Sequence, residues 1–294
     1  MDEFRRKYIY LGIELLRFIL CLWVVIIHCS IIKNEHKKHL LRGFHVPTFI
    51  LISFYFYYPS IQKRIIIKIN SRFQRLLLPY ILWPILKLIL NNFIISTGQF
   101  KTKLSVYDLF LQLLTGYQFH HIFWFQFNLI ILSLYLTIIS FIFKQKFLNV
   151  LKFLGIVSLY IHYSGTNFLI FSSFRKKFNV VLGSLIELMP LSIIGFIFRS
   201  INLLVVAKNI PLHIKFVLFF LIHFLFTYNI FVYYPGFKYP NIILNILAST
   251  ILFLLFGSLD LNGLVIINSI IKFITKYTGG IYYIHPMIRV YLQN

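Results

Sequence analysis

Acidic residues are few in this chain: seven Asp and Glu stand against 29 Lys and Arg in 294 residues, a formal net charge of +22. Such a balance attracts anions. The cations, however, are spread over many short loops rather than gathered on one domain or arm, which argues against a nucleic-acid binder. Contact with anionic lipid headgroups accounts for them more simply. Cysteine is scarce too, with Cys21 and Cys29 alone. On one helix the two lie about 12 Å apart along the axis, beyond disulfide reach, and they are read as free thiols. No Cys or His cluster stands at metal-ligand spacing, so no metal site is expected. A Walker-type phosphate loop, a Gly-x-Ser-x-Gly elbow and a Ser-His-Asp order are missing as well, which sets P-loop NTPases and serine hydrolases aside.

What fills the chain is apolar. Hydrophobic residues make up 59% and aromatic ones 19%, with a mean hydropathy of +0.83; soluble domains usually hold about 45–50% apolar residues. Apolar runs long enough to cross about 30 Å of hydrocarbon recur along the sequence, and no polar stretch is long enough to fold separately. The expectation is an all-α, polytopic bundle of nine to ten transmembrane helices forming one domain over residues 1–294. Helices are expected near 8–31, 44–61, 76–95, 121–143, 148–164, 179–199, 212–232, 240–257 and 264–294. The run from Tyr8 to Ile32 is too long for a signal's apolar core and lacks a small-residue cleavage site, so it is read as the first span. The last segment, with Lys272, Lys276 and Gly279-Gly280, reads as two pieces. From Ile281 to Asn294 a helix rises only about 21 Å, so the final helix is expected to be truncated. Sixteen loop Lys and Arg fall on the side of the N-terminus and ten on the other, with Arg17, Lys87 and Arg289 inside spans. The positive-inside rule then puts the N-terminus in the cytosol.

An ionisable side chain at membrane depth costs roughly 2.5–3.5 kcal/mol on insertion scales, so it points to a site before it points to packing. Arg17 and His28 both lie in the first span. Eleven residues on a helix leave them about 20° apart around the axis and about 16 Å apart along it, on one face but out of contact. That face reads as the wall of a passage. Glu14, three residues before Arg17, either neutralises it as a helical neighbour or helps to orient a substrate. Glu187 and Lys87 are further charges that either line a cavity or snorkel. His45, His120, His121 and His285 stand near span ends and are read as structural, and Trp124 as part of an interfacial aromatic belt.

Arg72 and Arg75, three residues apart at the entry to the third span, are neighbours on one helical face. Two guanidiniums there suit phosphate oxygens, being planar, always charged and able to bind bidentately. Taken alone, the pair also fits ordinary snorkelling at a cytosolic boundary.

Together with Arg17 and His28, the segments Phe44-His45-Val46-Pro47-Thr48-Phe49, Ser53-Phe54-Tyr55, Arg72-x-x-Arg75-Leu-Leu-Leu-Pro79-Tyr80, Phe123-Trp124-Phe125 and Gly280-Ile-Tyr-Tyr-Ile-His285-Pro286 resemble, in that order, integral-membrane acyltransferase family 3. Its members include O-acetyltransferases of surface polysaccharides and peptidoglycan. The likeness runs nearly end to end and is most specific over the first 85 residues or so. It implies a membrane enzyme that takes an acyl group, usually acetyl, from acetyl-CoA in the cytosol and passes it to a hydroxyl of a glycan or glycolipid, without a metal. It implies His28 as general base, with Arg17 and Glu14 in the catalytic group, and Arg72, Arg75 and Ser53 at the coenzyme A site. It also implies a bacterial cytoplasmic membrane. Phe54 stands where the family's Ser-Gly-Phe/Tyr signature has glycine.

An imidazole with a pKa near 6.5 suits general-base work at neutral pH, typically about 10²- to 10⁴-fold in rate. Direct transfer is favoured over an acyl-histidine intermediate, which stays open. Two other readings remain: a transporter or flippase whose cavity holds Glu14, Arg17, Lys87 and Glu187, and a non-catalytic relative of the family, to which Phe54 and the short final helix point. The absence of an internal repeat speaks against the transporter.

Overall fold

A computed structural model of the chain describes residues 11–28, 45–96, 123–165, 188–233, 242–259 and 265–276, with a few positions between them. Every element among the described residues is helical, as the fold class required. In chain order these are α1 (Leu11–His28), α2 (His45–Gln62), α3 (Ile66–Ser96), α4 (Phe123–Phe143), α5 (Phe147–Gly165), α6 (Leu188–Ser200), α7 (Leu203–Lys208), α8 (Leu212–Tyr233), α9 (Ile242–Gly257) and α10 (Val265–Lys276). A 3₁₀ turn, Lys144–Lys146, joins α4 to α5.

Two boundaries differ from expectation. Helix α3 begins ten residues early, because Ile65, Ile69 and Phe73 repeat every four residues among the cations and Ile69 is buried. Arg72 and Arg75 therefore sit within a helix rather than at the mouth of one. The short α7 was not expected at all; its Leu204 and Ala207 are buried. The end of the final segment, residues 277–294, lies outside the described residues.

Among the described residues, Phe125–Ile161 is the helical stretch long and apolar enough to cross a membrane. Its 37 residues would rise about 55 Å as one rod, far beyond a single crossing. The rod is broken at Lys144, whose φ of 41° turns the chain so that α4 and α5 pack against each other. Arg64 (φ 47°) makes the corner between α2 and α3, and Asn202 (φ 52°) the one between α6 and α7. Prolines at 59, 79 and 84 lie inside helices and remove the helical donors to the carbonyls of Tyr55, Arg75 and Tyr80.

The described helices fall into two compact units, one from residues 1–55 and 198–294 and one from residues 56–197. In the first, α1 packs on α9 and α10, and α9 also meets α7 and α8. Leu16, Leu20 and Val24, four residues apart, are buried along α1, with Cys21 buried beside them. Gly12 brings α1 hard against the backbone of α9, since a Cβ at this position would run into the carbonyl oxygen of Phe256. Small residues allow such approaches between helices in lipid, where van der Waals packing drives association. The Lys215 ammonium donates to the Ser258 carbonyl at 2.9 Å and so meets the negative end of α9.

In the second unit α3 packs on α4. Gln126, Ser133, Thr137 and Ser140 form a buried polar stripe along α4 at helical spacing. The Gln126 amide donates to the Leu76 carbonyl of α3. Tyr80 packs on Ile130 and Phe127, and its hydroxyl donates to the Leu113 carbonyl at 2.8 Å. Tyr58, Phe147 and Phe196 close an aromatic triangle with centroids 5.4–6.5 Å apart.

Gly12→Ala is expected to cost about 1–3 kcal/mol through overpacking against α9. The check is the thermal midpoint of purified protein in detergent; an unchanged midpoint would mean that α1 and α9 do not approach this closely.

Candidate functional site

In the first unit, the candidate residues begin on α1. Glu14 and Arg17 form an ion pair, with Arg17 Nη1 at 3.0 and 3.1 Å from the two carboxylate oxygens. The two side chains are 33% and 45% exposed, so the pair opens outward while Leu16 and Leu20 beside it are buried. A neighbour three residues away on a helix is geometry that the sequence alone imposes. Because α1 runs unbroken to His28, the eleven-residue register holds; the His28 side chain lies outside the described residues.

Ser53, Phe54 and Tyr55 follow one another on α2. Ser53 is half-buried, whereas Phe54 and Tyr55 are fully buried. Phe54 thus fills the core with a side chain where the family signature has none. The Tyr55 ring packs at a tilt of 55° against Phe253, with centroids 4.9 Å apart. Its hydroxyl accepts a 3.2 Å hydrogen bond from Arg199 Nη1, and the Arg199 guanidinium carbon lies 5.1 Å from the centre of the Tyr55 ring. One residue of the signature is therefore gripped by an arginine 144 positions away.

In the second unit Arg72 and Arg75 do different things. Arg72 is half-buried: its Nε donates to Ser133 Oγ at 3.0 Å, and its guanidinium carbon lies 4.1 Å from the centre of the Tyr57 ring. The Tyr57 and Thr137 hydroxyls are 2.7 Å apart, which ties the ring under Arg72 to the polar stripe of α4. Arg75 is exposed, and its Nε donates to the Ser71 carbonyl one turn back. A guanidinium stacked on an aromatic face and bonded at Nε is held in one plane, with its direction set before any anion arrives.

The structure joins Glu14 with Arg17, and it gives Arg72 and Tyr55 partners that the sequence reading did not name: Ser133, Tyr57 and Thr137 for the first, Arg199 and Phe253 for the second. The spacing of Gln126, Ser133, Thr137 and Ser140 was a usable signal, since it puts polar groups on one face of an otherwise apolar span. Nothing local pointed to Arg199, which reads as a loop-edge cation. The side chains of Lys87 and Glu187, and His120, His121 and His285, lie outside the described residues. His45 is buried at the start of α2, two turns before Ser53.

Compared with known families, residues 10–294 match the acyltransferase domain family. No curated protein and no solved structure matches the chain. The match takes in Glu14, Arg17, His28, Ser53, Arg72 and Arg75 alike.

Replacing Arg72 with Ala is expected to cost about 1.5–3 kcal/mol, because it strips a charged hydrogen bond from Ser133 and the cation from Tyr57. Arg75→Ala should stay within about 0.5 kcal/mol of the parent, as exposed positions do. Denaturation midpoints of the two variants in detergent distinguish the roles, and equal losses would contradict them. Phe54→Gly opens a core cavity and should lose at least the roughly 3–5 kcal/mol typical of a buried Phe→Ala change, again read as a fall in thermal midpoint.

Proposed function

This chain belongs to acyltransferase family 3, whose members are membrane O-acetyltransferases, and on that premise we propose that it moves an acetyl group from cytosolic acetyl-CoA to a sugar hydroxyl of a surface glycan or glycolipid. The family match across residues 10–294 is the observation that carries the reading. The proposal includes nine or ten spans, a cytosolic N-terminus and residence in a bacterial cytoplasmic membrane.

His28 takes the proton from the acceptor hydroxyl as its oxygen attacks the thioester carbonyl. The carbon–sulfur bond breaks, the acetyl group ends on the sugar oxygen, and the coenzyme A thiolate leaves to be protonated. Lowering the charge developed in that step is general-base work, and it needs His28 neutral beforehand. Arg17, held by Glu14, supplies a fixed positive charge along the same helix. Its pairing makes the cation affordable at membrane depth. On α3, Arg75 meets the phosphates of coenzyme A, and Arg72, aimed by Ser133 and Tyr57, sets the second cation beside it. Exposure of Arg75 and the planar restraint on Arg72 support this division. Ser53 on α2 is assigned to the donor by the family resemblance alone.

Purified protein in nanodiscs, given radiolabelled acetyl-CoA and crude membrane glycans, should bind the donor saturably and pass label to glycan. His28→Ala should lower turnover by about 10²-fold or more and leave donor binding nearly unchanged. Arg75→Ala should weaken donor binding without loss of stability. Folded protein that shows no saturable binding would overturn the acyltransferase reading, and equal binding losses in the two variants would overturn the division of roles.

A further inference from the structure

Two corners of the second unit reverse the chain on a cation. Arg64, between α2 and α3, and Lys144, between α4 and α5, both have positive φ, at 47° and 41°. This conformation favours glycine and is uncommon for long side chains. The corners lie together: the Arg64 guanidinium carbon is 5.8 Å from the centre of the Phe141 ring, one turn before Lys144. Lys63, Lys68 and Lys146 are exposed around them. So are Ile66, Ile67, Ile142 and Phe143, with Ile67 at 81% and Ile142 at 64%. Among the described residues of this unit there is no Asp or Glu to answer the charge.

Cations alone would suit any phosphate. Cations flanked by exposed isoleucines and a phenylalanine suit one that carries hydrocarbon, because the headgroup pairs with the charges while acyl chains cover the apolar side chains. We propose that the paired corners of Arg64 and Lys144 form a binding site for an anionic phospholipid. This rests on the membrane residence of the family and is independent of acyl transfer.

The left-handed backbone provides the test. Glycine is at ease at both positions, so Arg64→Gly with Lys144→Gly removes the charges without straining the fold. In lipid-free detergent the double variant should keep the parent's thermal midpoint or exceed it. Titrated with phosphatidylglycerol, the full-length parent should gain stability and retain lipid by native mass spectrometry, less so as salt rises. The variant should fall about ten-fold or more in affinity, to the level seen with phosphatidylcholine. Arg64→Lys with Lys144→Arg should bind as the parent does. Equal phosphatidylglycerol binding by parent and glycine variant would overturn the proposal. A lower midpoint in lipid-free detergent would instead make the corners structural. Complete displacement by glycerol phosphate would make the site one for a free phosphate. Loss of acetyl-CoA binding with lipid retained would assign the cations to the donor. With lipid lost and donor binding intact, the two proposals stand apart.

Discussion

Hydrocarbon offers no hydrogen-bond partner, so a polar group carried inward by these helices has to be met by another part of the chain. The polar stripe of α4 meets the Leu76 carbonyl, the Arg72 guanidinium and the Tyr57 hydroxyl. In the first unit Thr48 on α2 donates to Ser249 on α9 at 3.2 Å. These bonds fix which face of each helix looks inward more firmly than apolar packing does, since one apolar face is much like another to lipid. Arg72, proposed to face the donor, hangs on such a seam.

The shortage of acidic residues shapes the rest. With seven carboxylates for 29 cations, most cations cannot have an acidic partner. Glu14 and Arg17 do pair. Elsewhere the chain answers its cations with rings, hydroxyls and carbonyls. Arg72 lies over Tyr57 and bonds Ser133, Arg199 grips Tyr55, Arg64 lies over Phe141, and Lys215 bonds the end of α9. Aromatic faces attract cations without cancelling them. A cation held in this way keeps its full charge for a phosphate, which an ion pair would blunt. The high aromatic content and the excess of positive charge are thus parts of one arrangement.

Phe54 illustrates a cost of departure from a family pattern. A glycine on a helix invites close approach of a neighbour, whereas a buried phenylalanine demands room for a ring and then becomes part of the core that holds its neighbours in place. Beside it on α2, the Tyr55 ring packs at a tilt against Phe253.

Sequence alone determined that the chain is helical, that it carries the order of motifs of its family, and that Glu14 and Arg17 are neighbours on one helical face, because period, composition and a three-residue spacing act through local geometry. It also set the unbroken register from Arg17 to His28. It misjudged where α3 begins, since the cations of residues 63–75 resemble a loop until Ile69 finds a core to enter. Only the tertiary structure decided that Arg72 turns inward to Ser133, 61 residues on, that Tyr55 is held by Arg199, 144 residues on, and that Arg64 and Lys144 make neighbouring corners. The reason is physical: a contact within one helical turn is dictated by the rise and twist of the backbone, whereas a contact between distant segments depends on which faces pack, and many apolar faces in this chain would have served.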